Sequence, residues 1–158
     1  MNVVKQTIIK VLTNSSRPMM EHSFLVIGDF GKAFYRKNGK EALPLITEVA
    51  NKSGAERAEI MQKMMRVKNM KDVGELFKML DLTMELGLEA IESSNDTFHF
   101  KVARCPYGIE GTSRELCETM MVADKKMIST LLGKEVEMKV LQTIAAGDKT
   151  CEVILSNK

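Results

Sequence analysis

Leu88-Glu89-Ala90-Ile91-Glu92-Ser93-Ser94-Asn95-Asp96-Thr97-Phe98-His99-Phe100-Lys101-Val102 is the stretch where the chain changes period. Before Gly87, apolar residues recur every three or four positions, as a helix face requires; after it they alternate, as on a strand. Residues 88–92 and 97–104 read as two strands joined by Ser93-Ser94-Asn95-Asp96, whose short polar side chains favour turns by bonding their own backbone. Phe98, Phe100 and Val102 share one face, which directs His99 and Lys101 to the other.

Upstream, residues 72–86 carry Val73, Leu76, Phe77, Leu80 and Met84 on one helical stripe, with Gly87 as the expected C-cap. Ser53-x-x-Glu56 has the form of a capping box opening a helix to residue 65, after a shorter helix over 41–51. Residues 18–37 predict a long helix with Phe24, Ile27, Phe30, Phe34 and Tyr35. Its glycines at 28 and 31 would weaken an isolated helix, so they mark close packing. Val4, Ile8, Val11 and Leu12 recur at helical spacing ahead of a break at Asn14-Ser15-Ser16-Arg17-Pro18.

Downstream, Thr112-x-x-Glu115 reads as a second capping box, opening a helix that runs to Leu132 and ends at Gly133. Residues 135–144 alternate, with Val136, Met138, Val140 and Ile144 on one side. Ala145-Ala146-Gly147-Asp148 turns the chain, and residues 150–155 return with Cys151 on the inward parity of Val153 and Leu155. The order predicts an α+β fold: a helical N-terminal half followed by antiparallel β-hairpins packed with a helix. Residues 1–40 read as a helical arm suited to dimerisation, and residues 41–158 as the compact unit.

Bulk composition excludes more than it assigns. With 23 basic and 21 acidic residues in 158, the net charge of +2 gives no field for nucleic acid. No run approaches 18 apolar residues and no secretory leader opens the chain, so a cytoplasmic protein that does not span a membrane is expected. Thirteen methionines without a tryptophan suit an adaptable apolar interior. Neither a Gly-x-Gly-x-x-Gly fingerprint nor a P-loop is present.

The chemistry-bearing residues are the three cysteines, Cys105, Cys117 and Cys151, on a strand-to-turn junction, a helix and a strand. Three readings stay open. A structural zinc needs four ligands, and the thiols give three, with His99, Glu110 or Glu115, or a water or ligand in an open site, as the fourth. A nucleophile at Cys105 would need a nearby cation or helix N-terminus to lower its pKa, with Arg104, His99 and the helix near residue 112 as sources. Alternatively, all three thiols are small buried apolar groups, their common state in a reducing compartment.

The last 70 residues resemble the 4-vinyl reductase domain, a small-molecule-binding family. The matching features are Arg104-Cys105-Pro106-Tyr107, a helix with Cys117 in its first turns, the Leu131-Leu132-Gly133 end, the strand over 135–144, and Gly147-Asp148-x-x-Cys151. The resemblance implies a dimer formed through helices and, as in several sensor members, a zinc ion beside the ligand pocket. Carried over residue by residue, Cys117 and Cys151 match two ligands. The family's Glu-x-x-Cys pair falls on Val140 and Thr143, so Cys105 and His99 stand in for the missing half of the set. The function implied is a cytoplasmic homodimer of archaeal type that binds a small hydrophobic molecule between the sheet and the Cys117 helix, with zinc at one end. An enzyme or accessory factor of tetrapyrrole-type reduction is the alternative, and a scaffold without ligand a third reading.

Overall fold

A computed structural model describes the backbone from Val3 to Lys158 and the side chains from Ser15 onward. The helical spacing of Val4, Ile8, Val11 and Leu12 therefore lies outside the described side chains. Four helices and four strands follow in order: α1 Val3–Asn38, α2 Leu43–Met64, α3 Met70–Met84, β1 Glu89–Ser93, β2 Thr97–Val102, α4 Arg114–Leu132, β3 Val136–Gln142 and β4 Cys151–Asn157. The fold is α+β, with a fully antiparallel sheet in the order β1-β2-β4-β3.

Two expected breaks are absent, and in each case tertiary contact outweighs local propensity. α1 runs straight through Asn14–Pro18. Proline removes one helical hydrogen bond, but Arg17 ties this turn to the rest of the molecule, reaching Glu85 at 2.6 Å and Glu21 at 3.2 Å. α2 runs straight through Ser53-x-x-Glu56. Its neighbour Gly54 packs so closely on α4 that an added Cβ would lie 2.3 Å from the carbonyl oxygen of Ala123, and this contact holds the two helices together along their length.

Elsewhere the caps are specific. Asn69 caps α3 by accepting from the Asp72 N–H at 3.1 Å. Glu85, in the left-handed region at φ 48°, ends that helix two residues before the expected Gly87. Ser113 rather than Thr112 caps α4, accepting from the Leu116 N–H. Thr112 is occupied in donating to the Ile109 carbonyl at 2.6 Å. Gly133 closes α4 with φ 66°, the conformation a glycine adopts without a Cβ clash.

The core lies between the sheet and the helices. Phe98 and Phe100 stack with ring centres 4.8 Å apart and meet Phe77 of α3. Val153 and Leu155 of β4 and Met127, Ile128 and Leu131 of α4 fill the same layer. Cys151, Val153 and Leu155 are all buried on one face of β4, as their parity predicts.

Candidate functional site: an apolar cavity beside a thiol corner

α4 presents its other side to α1 and α2, and there the packing stops short. A cavity of about 580 Å³ opens between the three helices and the loop after β2. This size is ordinary for a small-molecule site. The expected location, between the sheet and α4, is filled by core side chains instead. Methionine also plays a smaller part than composition suggests, since among the described residues Met120 is the one methionine on the wall.

Two glycines build the cavity. At Gly28 of α1 an added Cβ would fall 1.7 Å from the Tyr107 carbonyl oxygen, so the helix rests directly on the loop backbone. At Gly31 the same atom would meet Met120 Sδ at 3.2 Å. Both glycines thus mark the close packing expected of them. Lys32 fixes the crossing by donating to the Gly108 carbonyl at 2.8 Å, and Phe24 packs on the Tyr107 ring at 5.3 Å between centres. From Ser23 to Phe34 α1 therefore forms part of the cavity wall.

The mouth is apolar and open to solvent. Phe30 is 74% exposed, Val49 60% and Ile27 54%, though all three line the cavity. The floor is polar. Arg57 of α2 faces Asp124 of α4, with Nη1 3.5 Å from Oδ1, a meeting made possible by the Gly54 approach one turn away. The buried Tyr107 hydroxyl is within hydrogen-bonding reach of Arg57, and burial pushes its pKa well up. Asp124 is also shifted upward by desolvation, which the Arg57 charge opposes. Sequence inspection missed this trio because its members lie on three separate elements and form no motif. The glycines at 28, 31 and 54 are the trace it leaves in the sequence.

The three thiols occupy a corner next to this site. Cys117, four per cent exposed, and Cys105 pack in one small cluster with Tyr107 and Met120, and Cys151 is near enough to raise the pKa of both thiols. Desolvation is the largest cause for each, and Cys117 is pushed up to about 11. The Thr143 hydroxyl bonds Cys117, and Cys151 Sγ accepts from the Ile144 N–H at 3.4 Å. Backbone N–H groups of Tyr107 and Ile109 point to Cys105. This is the chemistry of thiols held neutral, the reverse of an activated nucleophile.

His99 is not brought to this corner. It projects from the outer face of the sheet and bonds Glu152 at 2.8 Å, while Cys151 faces inward. Glu115 pairs with Lys40 at 2.8 Å, and Glu110 is exposed. Among the described residues, no three His, Cys, Asp or Glu side chains converge closely enough to hold a metal ion.

The model of the L-2-amino-thiazoline-4-carboxylic acid hydrolase family matches residues 17–155. The chain belongs to this family. The matched span begins at Arg17 in α1 and takes in every residue of the cavity and all three thiols. No protein of curated function matches this family member in sequence. Among solved structures it is similar to the phenol-responsive sensory domain of the transcription activator PoxR, crystallised with phenol. The two share 20% identity over 85% of this chain and 74% of that one, with a TM-score of 0.51. At that identity the likeness is one of fold. No helix among the described residues is long and apolar enough to cross a membrane.

Proposed function

We propose that this protein binds a small, largely apolar molecule in the cavity between α1, α2 and α4, as a sensing or carrier domain of the 4-vinyl reductase type. The observation that carries this reading is the cavity itself, about 580 Å³ with apolar walls and a polar floor. Apolar walls supply affinity in proportion to area removed from water, and a few polar groups fix orientation. The likeness in fold to a phenol-responsive domain supports it.

Binding is tested with N-phenyl-1-naphthylamine, a neutral apolar dye that brightens out of water. The expected result is saturable binding of one dye per chain, weakened at least fivefold by Ile27→Trp, a bulky change at the exposed mouth. Absence of saturable binding, or affinity unmoved by that variant, overturns the reading.

The exposed rim of Phe30, Val49 and Ile27 is covered, on this reading, by a second copy of the chain in a cytoplasmic homodimer. Sedimentation velocity should give twice the chain mass, and Phe30→Glu should shift it to one. Zinc at Cys105, Cys117 and Cys151 is a separate element, requiring the three thiols to turn toward one point. Metal analysis after purification without added zinc decides it, with content far below one per chain as the result against.

Family membership favours a second reading, hydrolysis of a compound such as L-2-amino-thiazoline-4-carboxylic acid. Tyr107 lines the floor and Asp124 pairs with Arg57 beside it, and these are the groups that would manage protons for an attacking water. Incubation with that compound, followed by chromatography, should show its loss with wild type and not with Asp124→Asn if this reading holds.

A further inference from the structure

Of the described residues lining the cavity, only Arg57 carries a charge. A guanidinium has five N–H donors in a planar fork. Here Nη1 faces Asp124 at 3.5 Å, the long end of ion-pair distance, and the buried Nε has no hydrogen-bond partner. A charged group desolvated without its full set of partners is unfavourable by itself and well placed to gain from an acceptor. Ser53, one helical turn before Arg57, puts a hydroxyl on the same wall, and the Tyr107 phenol adds a donor on the loop side. Every other described lining side chain is apolar, apart from the Ser23 hydroxyl, which donates to its own helix at the Met19 carbonyl.

We infer that the ligand of this cavity is a carboxylic acid with an apolar body of one or two rings, and that Arg57 reads its carboxylate. The inference rests on the cavity being a ligand site. Arginine suits this task because its fork matches the two oxygens of a carboxylate. Two carboxylates then share one guanidinium. Desolvation already raises the pKa of Asp124, and a second carboxylate at Arg57 would raise it further. The body of the ligand lies against Phe24, Ile46 and Met120 toward the apolar mouth.

The probes are matched pairs differing only in the head group: 2-naphthoate with 2-naphthalenemethanol, and benzoate with benzyl alcohol, titrated calorimetrically against the whole chain. Wild type should bind the acid of at least one pair tenfold or more tighter than its alcohol. Arg57→Gln should reduce that preference to twofold or less, and Arg57→Lys, which keeps the charge without the fork, should leave part of it. Equal affinity for acid and alcohol in wild type overturns the head-group inference and leaves the cavity reading standing. A preference that survives Arg57→Gln removes Arg57 as its source. Binding of neither member of either pair overturns both this inference and the cavity reading. The wild-type ratio decides the matter even if Arg57→Gln fails to fold.

Discussion

The two faces of α4 meet the rest of the molecule in opposite ways. Toward the sheet, Met127, Ile128 and Leu131 are buried against Phe98, Val153 and Leu155 in a filled layer. Toward α1 and α2, Ala123 and Met120 border open space. Side-chain size explains the contrast. Aromatic rings on β2 meet Phe77 of α3 and close the gap on the sheet side. On the helical side Gly54, Ala50 and Ala58 let α2 approach closely, while Gly28 seats α1 on the loop and Gly31 sets it against Met120 of α4. One helix thus separates a region built for stability from one built to admit a ligand.

The largest test of this division compares two phenylalanines. Phe98 is fully buried, and Phe98→Ala should cost about 3–5 kcal/mol in urea unfolding. Phe30 is 74% exposed at the cavity mouth, and Phe30→Ala should change stability by about 0.5 kcal/mol or less. The order for dye binding should reverse, with the Phe30 variant weakened and still folded. Comparable stability losses at the two positions would erase the distinction between core and site.

Glycines give the next test. A Cβ at Gly28 would strike the Tyr107 backbone, which cannot move without displacing the loop, so Gly28→Ala should cost about 3 kcal/mol. At Gly31 the neighbour is the end of a flexible methionine, and Gly31→Ala should cost under about 1 kcal/mol, offset further by its helix propensity. If both variants keep wild-type stability and binding, α1 is not seated on Tyr107 as described.

Much of this was readable from residues. The change of period at Gly87 located the first hairpin, and the parity of Cys151 with Val153 and Leu155 placed that thiol inward, as the structure has it. The glycines at 28 and 31 announced a close approach. What they approached was not readable, because Tyr107 lies some eighty residues away and its backbone, not its side chain, makes the contact. The same reason hid the cavity: Arg57, Tyr107 and Asp124 become neighbours only after α2 packs on α4. Ser53-x-x-Glu56 misled for a related reason, since a capping box describes a local preference and the α2–α4 contact overrides it. His99 was considered with the thiols through nearness in sequence, yet the alternation that turned Phe98 inward had already turned it to the other face.

The thiol corner sits where the two regions meet, and pH can decide to which it belongs. A metal site needs thiolates, so its ligands would have depressed pKa values, and stability would be lost as pH falls through them. Neutral buried thiols behave in the opposite sense. Burial raises the Cys117 thiol from its ordinary value of 9.0 to about 11. Its contribution is then fully present below pH 9 and lost as pH rises toward 11, because the unfolded chain releases its proton first. The loss amounts to about 3 kcal/mol at most. Cys117→Ala removes this ionisation, so the stability gap between wild type and variant should narrow between pH 9 and 11. Lysine titration affects both proteins alike and cancels in the difference. A gap that instead narrows as pH falls below 7, together with destabilisation by a chelator, would place the three thiols around a metal ion.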